Sequence, residues 1–196
     1  DGLGIALPEG KDTGAIVRCE SGVRRLPFGQ IELHLDASHF RLPIADVDEF
    51  LMADQFSVKG MSVRNRTGGM GVPLIALGKP EANLGMQRAA PSTVFLRLSC
   101  SLTEISNGRA SGVLELFSMF DSAKVAVNGS EIPLEADLTA PQAYALNQRH
   151  AWSSGRMLFL SPQQSVKTQL ILSAPYQPGR IPLVLVHGTL DRKSVV

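Results

Sequence analysis

Short alternating segments separated by turns constrain this chain more than any other feature. Ser92 to Ser99 sets Val94, Leu96 and Leu98 against Thr93, Phe95 and Arg97. Gln30 to Asp36 sets Ile31, Leu33 and Leu35 against Glu32, His34 and Asp36. A period of two puts alternate side chains on opposite faces, which is the signature of a half-buried strand. Gly112 to Met119 reads as a further strand, and Val72 to Leu77 is apolar and extended. Lys124 to Val127 and Glu131 to Glu135 flank Asn128-Gly129, a type I′ hairpin signal, and Pro133 demotes the second arm to an edge or irregular strand. Many short strands with few helices predict a mainly β domain, sandwich-like or a partly open barrel, with one or two short helices, over residues 1–165. The apolar content of 44% suffices for a sizeable core.

The remaining segments fill in around these strands. Residues 1–25 carry Gly2, Gly4, Gly10, Gly14 and Gly22 and no sustained period, with Ile16 to Cys19 as a possible strand. Val47 to Ala53 is expected to be a short helix with Asp46 at its N-cap. Gln55 to Arg64 alternates through Phe56, Val58 and Met61, with a bulge at Gly60. Thr67 to Gly71 is expected to be a flexible loop, Pro80 to Pro91 a linker, and Ser106 to Arg109 a turn. A helix is predicted over Ala140 to Asn147, with Thr139 as its cap, Pro141 in its first turn and Tyr144 as a packing residue. Met157 to Leu160 reads as a short strand.

Charge and cysteine content narrow the function. The formal net charge is +1, which gives no electrostatic case for a nucleic-acid partner. The Arg64, Asn65, Arg66 cluster is expected to be a solvated loop. No apolar run approaches the roughly 18 residues of a membrane span. Cys19 and Cys100 allow one disulfide, which their spacing does not establish, and no C-x-x-C metal pattern occurs. On a strand His34 and Asp36 point the same way, with His39 three residues on. No third ligand of that set is obvious, so a solvated strand edge is preferred to a metal site. Gly68 to Gly71 lacks the spacing of a phosphate loop. Trp152, the single Trp, is expected to anchor against the sheet.

Near the C-terminus Thr168 to Ser173 reads as a strand and Tyr176-Gln177-Pro178-Gly179-Arg180 as a turn. A second strand, Ile181 to Val186, breaks at His187-Gly188. This ending resembles the oxyanion-hole strand of the α/β-hydrolases. With Leu134 to Leu146 and the Pro-Tyr-Gln-Pro-Gly segment, the ordered set resembles bacterial lipase- or esterase-like α/β-hydrolases with a long N-terminal region, over about Leu26 to Thr189. The resemblance implies that residues 166–190 are the opening strands of a truncated α/β-hydrolase domain. It implies that His187 shapes the oxyanion loop rather than serving as triad base, that Gly188 admits the substrate, and that Thr189 or its successor holds an oxyanion N–H.

The same resemblance implies an ester or lipid substrate, an acyl-enzyme, no cofactor, and a bacterial envelope location. No G-x-S-x-G occurs; Gly60-Met61-Ser62-Val63-Arg64 comes nearest and lacks the closing Gly. In that family nucleophile, acid and base follow the His-Gly strand, so this chain is expected to be inactive by itself. Asp191 to Val196 matches the translation of a common sequencing-adapter sequence and is expected to be read-through, with the chain a fragment. The rival expectation is a non-catalytic β-rich binding or assembly module.

Overall fold

A computed structural model describes residues 4–6, 17–27, 29–59, 63–79, 89–120, 124–148 and 181. In chain order the strands are β1 (Gly4–Ala6), β2 (Gly22–Leu26), β3 (Gly29–His39), β4 (Val47–Met52), β5 (Ser57–Lys59), β6 (Arg66–Thr67), β7 (Val72–Gly78), β8 (Ala89–Leu98), β9 (Arg109–Ser118), β10 (Lys124–Val127), β11 (Ser130–Pro133) and β12 (Ala136–Asp137). Helix α1 (Leu102–Ser106) joins β8 to β9, and α2 (Thr139–Gln148) follows β12. The protein is mainly β, with the main sheet curled into a half-barrel and two short helices.

Six strands form that sheet in the order β2-β3-β9-β8-β7-β4. All neighbours are antiparallel except β3 and β9, which run parallel from Gln30↔Arg109 to Asp36↔Glu115. Alternate residues of the central strands enter different cores, as a period of two requires. Val94 and Leu116 join Phe40, Phe50, Leu74 and Cys19 on one side. Phe95 and Phe117 join Met119, Val125 and Leu134 under the β10–β11 hairpin on the other. A third cluster packs Ile75 and Ala89 against Leu51, Phe56 and Ala140 of α2. Tyr144 meets Phe56 edge-on, 6.2 Å between centroids, in the packing role expected of it.

The strands predicted at 30–36, 72–77, 92–99 and 112–119 form, and Asn128 and Gly129 take the positive φ values of a type I′ turn, 50° and 79°. Other expectations are corrected. Val47 to Met52 is a strand, not a helix: Val47, Phe50 and Leu51 are buried against β7, and a shift of register between Val47 and Glu49 leaves Asp48 unpaired. Asp46 ends a 3-10 turn (Ile44–Asp46) and caps no α-helix. Phe56 follows a second such turn, Ala53–Gln55, and among the described residues of the strand expected across Gln55 to Arg64 only Ser57–Lys59, β5, are strand. Val17 to Cys19 is not assigned to a strand, although the Val17 N–H donates to the Phe50 carbonyl at 2.8 Å.

Ala89 to Pro91, expected in a linker, open β8. The Pro91 carbonyl accepts from Met119 N–H on the β9 side, so the donor that proline lacks would also face that side. The β8–β9 ladder begins only at Ser92↔Ser118, and no ladder bond is lost. The Thr67 to Gly71 stretch is also tied down. Met70 N–H donates to Pro133 O and Glu135 N–H to Met70 O, both at 2.9 Å. Asn107-Gly108 forms the expected turn, but as the exit of α1, which Ser101 and Glu104 cap reciprocally. The expected strands at 157–160, 168–173 and 181–186, the residue 165/166 boundary, Gly60 and Trp152 lie outside the described residues, save Ile181, which is exposed and in no strand.

Candidate functional site

His187, Gly188 and Thr189 lie outside the described residues. The polar residues singled out on β3 are all described. His34 stands beside Val113 and Asp36 beside Glu115 in the parallel ladder. The register then shifts by one residue, so His39 stands beside Phe117, and their rings stack at 5.1 Å with a 6° interplanar angle. The bulge therefore returns His39 to the face of His34 and Asp36. Among the described residues no group of three His, Cys, Asp or Glu side chains is placed to hold a metal ion.

What gathers on this face is a polar row. Asp36, Glu115 and Phe95 are neighbours across β3, β9 and β8. From β8, Arg97 grips Glu115 with two bonds, Nε to Oε1 at 2.7 Å and Nη2 to Oε2 at 3.0 Å, and donates to the Ala126 carbonyl at 2.9 Å. Its guanidinium lies 5.4 Å from the Phe95 ring centre. Arg97 thus holds the hairpin to β8, an interior strand of the sheet. Asp36 Oδ1 accepts from Ser38 N–H at 2.9 Å. That bond, the Ser38 side chain, and the charges of His39 and His34 hold the Asp36 carboxyl below its usual range. A carboxylate so stabilised stays ionised at neutral pH. It suits binding a cation or a donor better than proton transfer.

The second constellation is buried and joins distant segments. Asp137 Oδ1 accepts from Thr139 N–H at 3.0 Å and Ala140 N–H at 2.9 Å, so Asp137 caps α2 and Thr139 does not. The Thr139 hydroxyl oxygen instead accepts from Asn65 N–H at 2.7 Å. Asp137 Oδ2 meets Arg64 Nη2 at 2.5 Å, with the carboxylate wholly buried. Arg64 also donates to the Phe56 and Ala53 carbonyls at 3.1 and 3.0 Å. Arg66 bridges Asp54 at 2.7 Å and Glu135. Asn65 and Arg66 are exposed, as expected of a solvated loop, but the two arginines also make the 64–66 stretch a clasp.

The sequence signals for these contacts were a single Arg and a single Glu inside otherwise apolar strands, and an Asp two residues before a helix. Cys19 is buried and Cys100 partly so, and both thiols are free. Comparison with protein-family models, curated proteins and solved structures found no match. Among the described residues no helix is long and apolar enough to cross a membrane.

Proposed function

We propose that this chain is the β-rich N-terminal portion of a lipase- or esterase-like serine α/β-hydrolase. The observation that supports the reading concerns the Leu134 to Leu146 stretch, one of the three segments that carry the resemblance. The fold buries Leu134, Asp137, Leu138, Thr139, Ala140 and Ala143. Asp137 fixes the start of α2. In the intact parent, His187 and Gly188 would shape the oxyanion loop, and the Thr189 region would offer an N–H to the tetrahedral intermediate of an ester or lipid substrate. The nucleophile, acid and base would follow Thr189, and the described sheet would take no part in bond cleavage.

One observation favours a second reading, a non-catalytic binding or assembly module. Among the described residues, the β-rich part buries three apolar clusters around its own six-stranded sheet.

The experiment is to read the gene from an intact template past the codon for Thr189 and to treat the encoded protein with a fluorophosphonate. A downstream strand–G-x-S-x-G–helix whose Ser is labelled, with ester hydrolysis lost in step, supports the hydrolase reading. An open reading frame without such an elbow overturns it. Residues 1–165 expressed alone and unfolding cooperatively would then support the module.

A further inference from the structure

We propose that Asn128-Gly129, at the tip of the β10–β11 hairpin, is a site of spontaneous modification, where the Asn128 amide is lost as ammonia and the main chain becomes isoaspartyl in part of the molecules. The chain holds two Asn-Gly pairs, at 107–108 and 128–129. A glycine after asparagine leaves the following main-chain nitrogen unshielded by any side chain. Both asparagines are exposed, so exposure does not separate the two pairs. What separates them is how each following nitrogen is held. Gly108 N–H donates to the Ile105 carbonyl at 3.0 Å, and Asn107 N–H donates to the Thr103 carbonyl at 3.1 Å. The Gly108 carbonyl accepts from Gln30 N–H at 2.9 Å. Gly29 packs so closely there that a Cβ on it would lie 2.1 Å from that oxygen. Gly108 therefore cannot turn toward the Asn107 side chain without breaking a bond and moving against β3.

The hairpin tip has none of these restraints. Its ladder closes at Val127↔Ser130, so both turn residues stand outside it. Among the described residues no main-chain bond uses the Gly129 N–H. A Cβ on Gly129 would meet nothing within 4 Å, so the Asn128–Gly129 peptide can swing without a clash. Asn128 sits at φ 50°, a conformation that an L residue adopts at a cost, so little keeps it there. The Gly129 nitrogen attacks Asn128 Cγ. An N–Cγ bond forms, the Cγ–Nδ2 bond breaks, and Nδ2 leaves as ammonia with the proton of the Gly129 N–H. Water then opens the succinimide. Cleavage of the N–Cγ bond gives ordinary aspartate, and cleavage of the bond from nitrogen to the main-chain carbonyl carbon gives isoaspartate. The isoaspartyl link adds a carbon to a two-residue loop whose length sets the hairpin register. Val125, Val127, Ile132 and Leu134 of this hairpin and its exit pack with Phe95, Phe117 and Met119. Lengthening the loop displaces the Val127↔Ser130 closure and loosens that cover.

The proposal holds for either reading above, because its test reads a change of mass and not ester cleavage. The full chain is aged at mildly alkaline pH, folded and in urea, then digested with trypsin. Peptides 98–109 and 125–149 carry the two pairs. Fragmentation places the mass gain of amide-to-acid conversion, and enzymatic carboxyl methylation counts isoaspartate. In the folded chain Asn128 is expected to convert at least about fivefold faster than Asn107, the factor set by one hydrogen bond that must break first. In urea the two should convert at comparable rates. The isoaspartyl fraction should unfold at lower urea than fresh protein, whereas Asn128→Asp, which keeps the loop length, should not. Equal rates in the folded chain, or conversion of Asn128 in urea but not when folded, would overturn the proposal. So would an isoaspartyl fraction with the urea midpoint of fresh protein.

Discussion

The Asp137 carboxylate and the Arg64 guanidinium meet at 2.5 Å in a site where the carboxylate has no exposure to solvent. The other Asp137 oxygen receives the first two N–H groups of α2. One side chain therefore ties the 64–66 stretch, the end of β12 and the start of the helix together. Removing one partner of a buried pair leaves a desolvated charge uncompensated, which costs about 3–5 kcal/mol. Asp137→Ala should lower stability by about that amount, cap included, read as a fall in the urea midpoint. Asp137→Asn, which keeps an oxygen for the cap, should cost less. A loss below about 1 kcal/mol for Asp137→Ala would show the clasp to be idle.

Cys19 sits in the first apolar cluster, and burial pushes its thiol up to about 11 from 9.0. Two units correspond to about a hundredfold less thiolate at a given pH below 9. Titration with a chromogenic disulfide at pH 8 should count one fast thiol, Cys100, and a second only after denaturation. Two equally fast thiols would contradict the burial of Cys19.

The same burial carries a pH signature. A folded pKa raised above the unfolded one gives stability that is present in full below the unfolded value. It is lost as pH rises through the folded value. The window is therefore about pH 9 to 11. Cys19→Ala should flatten the fall of the urea midpoint across that window. An unchanged slope would place the alkaline loss elsewhere.

Gly71 and Gly129 separate backbone strain from crowding. Both have positive φ, +94° and +79°. A Cβ on Gly71 would sit 2.8 Å from the Val94 carbonyl oxygen, whereas one on Gly129 would meet nothing within 4 Å. Gly129→Ala should cost about 1 kcal/mol, the conformational part alone. Gly71→Ala should cost at least twice as much by urea denaturation, because backbone must move as well. Equal losses would mean that β7 and β8 yield at no cost.

Arg97 and Glu115 make two bonds, but the Arg97 side chain is 37% exposed. Solvent screening limits such a pair to about 1 kcal/mol. A double-mutant cycle of Arg97→Met and Glu115→Gln should give a coupling of that size, reduced by salt. Arg97→Met alone should cost more than Glu115→Gln, since it also loses the Ala126 carbonyl and the packing on Phe95.

Where the sequence and the structure agree, local chemistry suffices. Ile31, Leu33 and Leu35 alternate because one face of β3 is apolar, and Asn128-Gly129 turns because both residues tolerate positive φ. The helix at 140–147 was legible in its composition, but its capping residue was not. Thr139 and Asp137 are both competent caps, and what separates them is Asn65, 74 residues away in sequence, which takes the Thr139 hydroxyl. Val47 to Met52 failed for a related reason. An Asp before a mixed apolar and acidic run suits a helix, and only the ladder offered by β7 makes it a strand. The polar row of Asp36, Glu115 and Arg97 was half visible. The β3 residues stood out in their own strand, while their neighbours come from β9 and β8, which no local pattern links to β3.

The parallel seam between β3 and β9 carries a kinetic consequence. Strands β7, β8 and β9 pair antiparallel with their sequence neighbours, and β4 pairs with β7. Those four strands can assemble through connections of no more than about 20 residues. Joining Gln30 to Arg109 instead closes a loop of about 80 residues before any contact rewards it. The β2–β3 pair is thus expected to be the last part of the sheet secured during folding. Weakening the seam at Ile31 or Leu33 should accelerate unfolding and leave the rate of folding nearly unchanged.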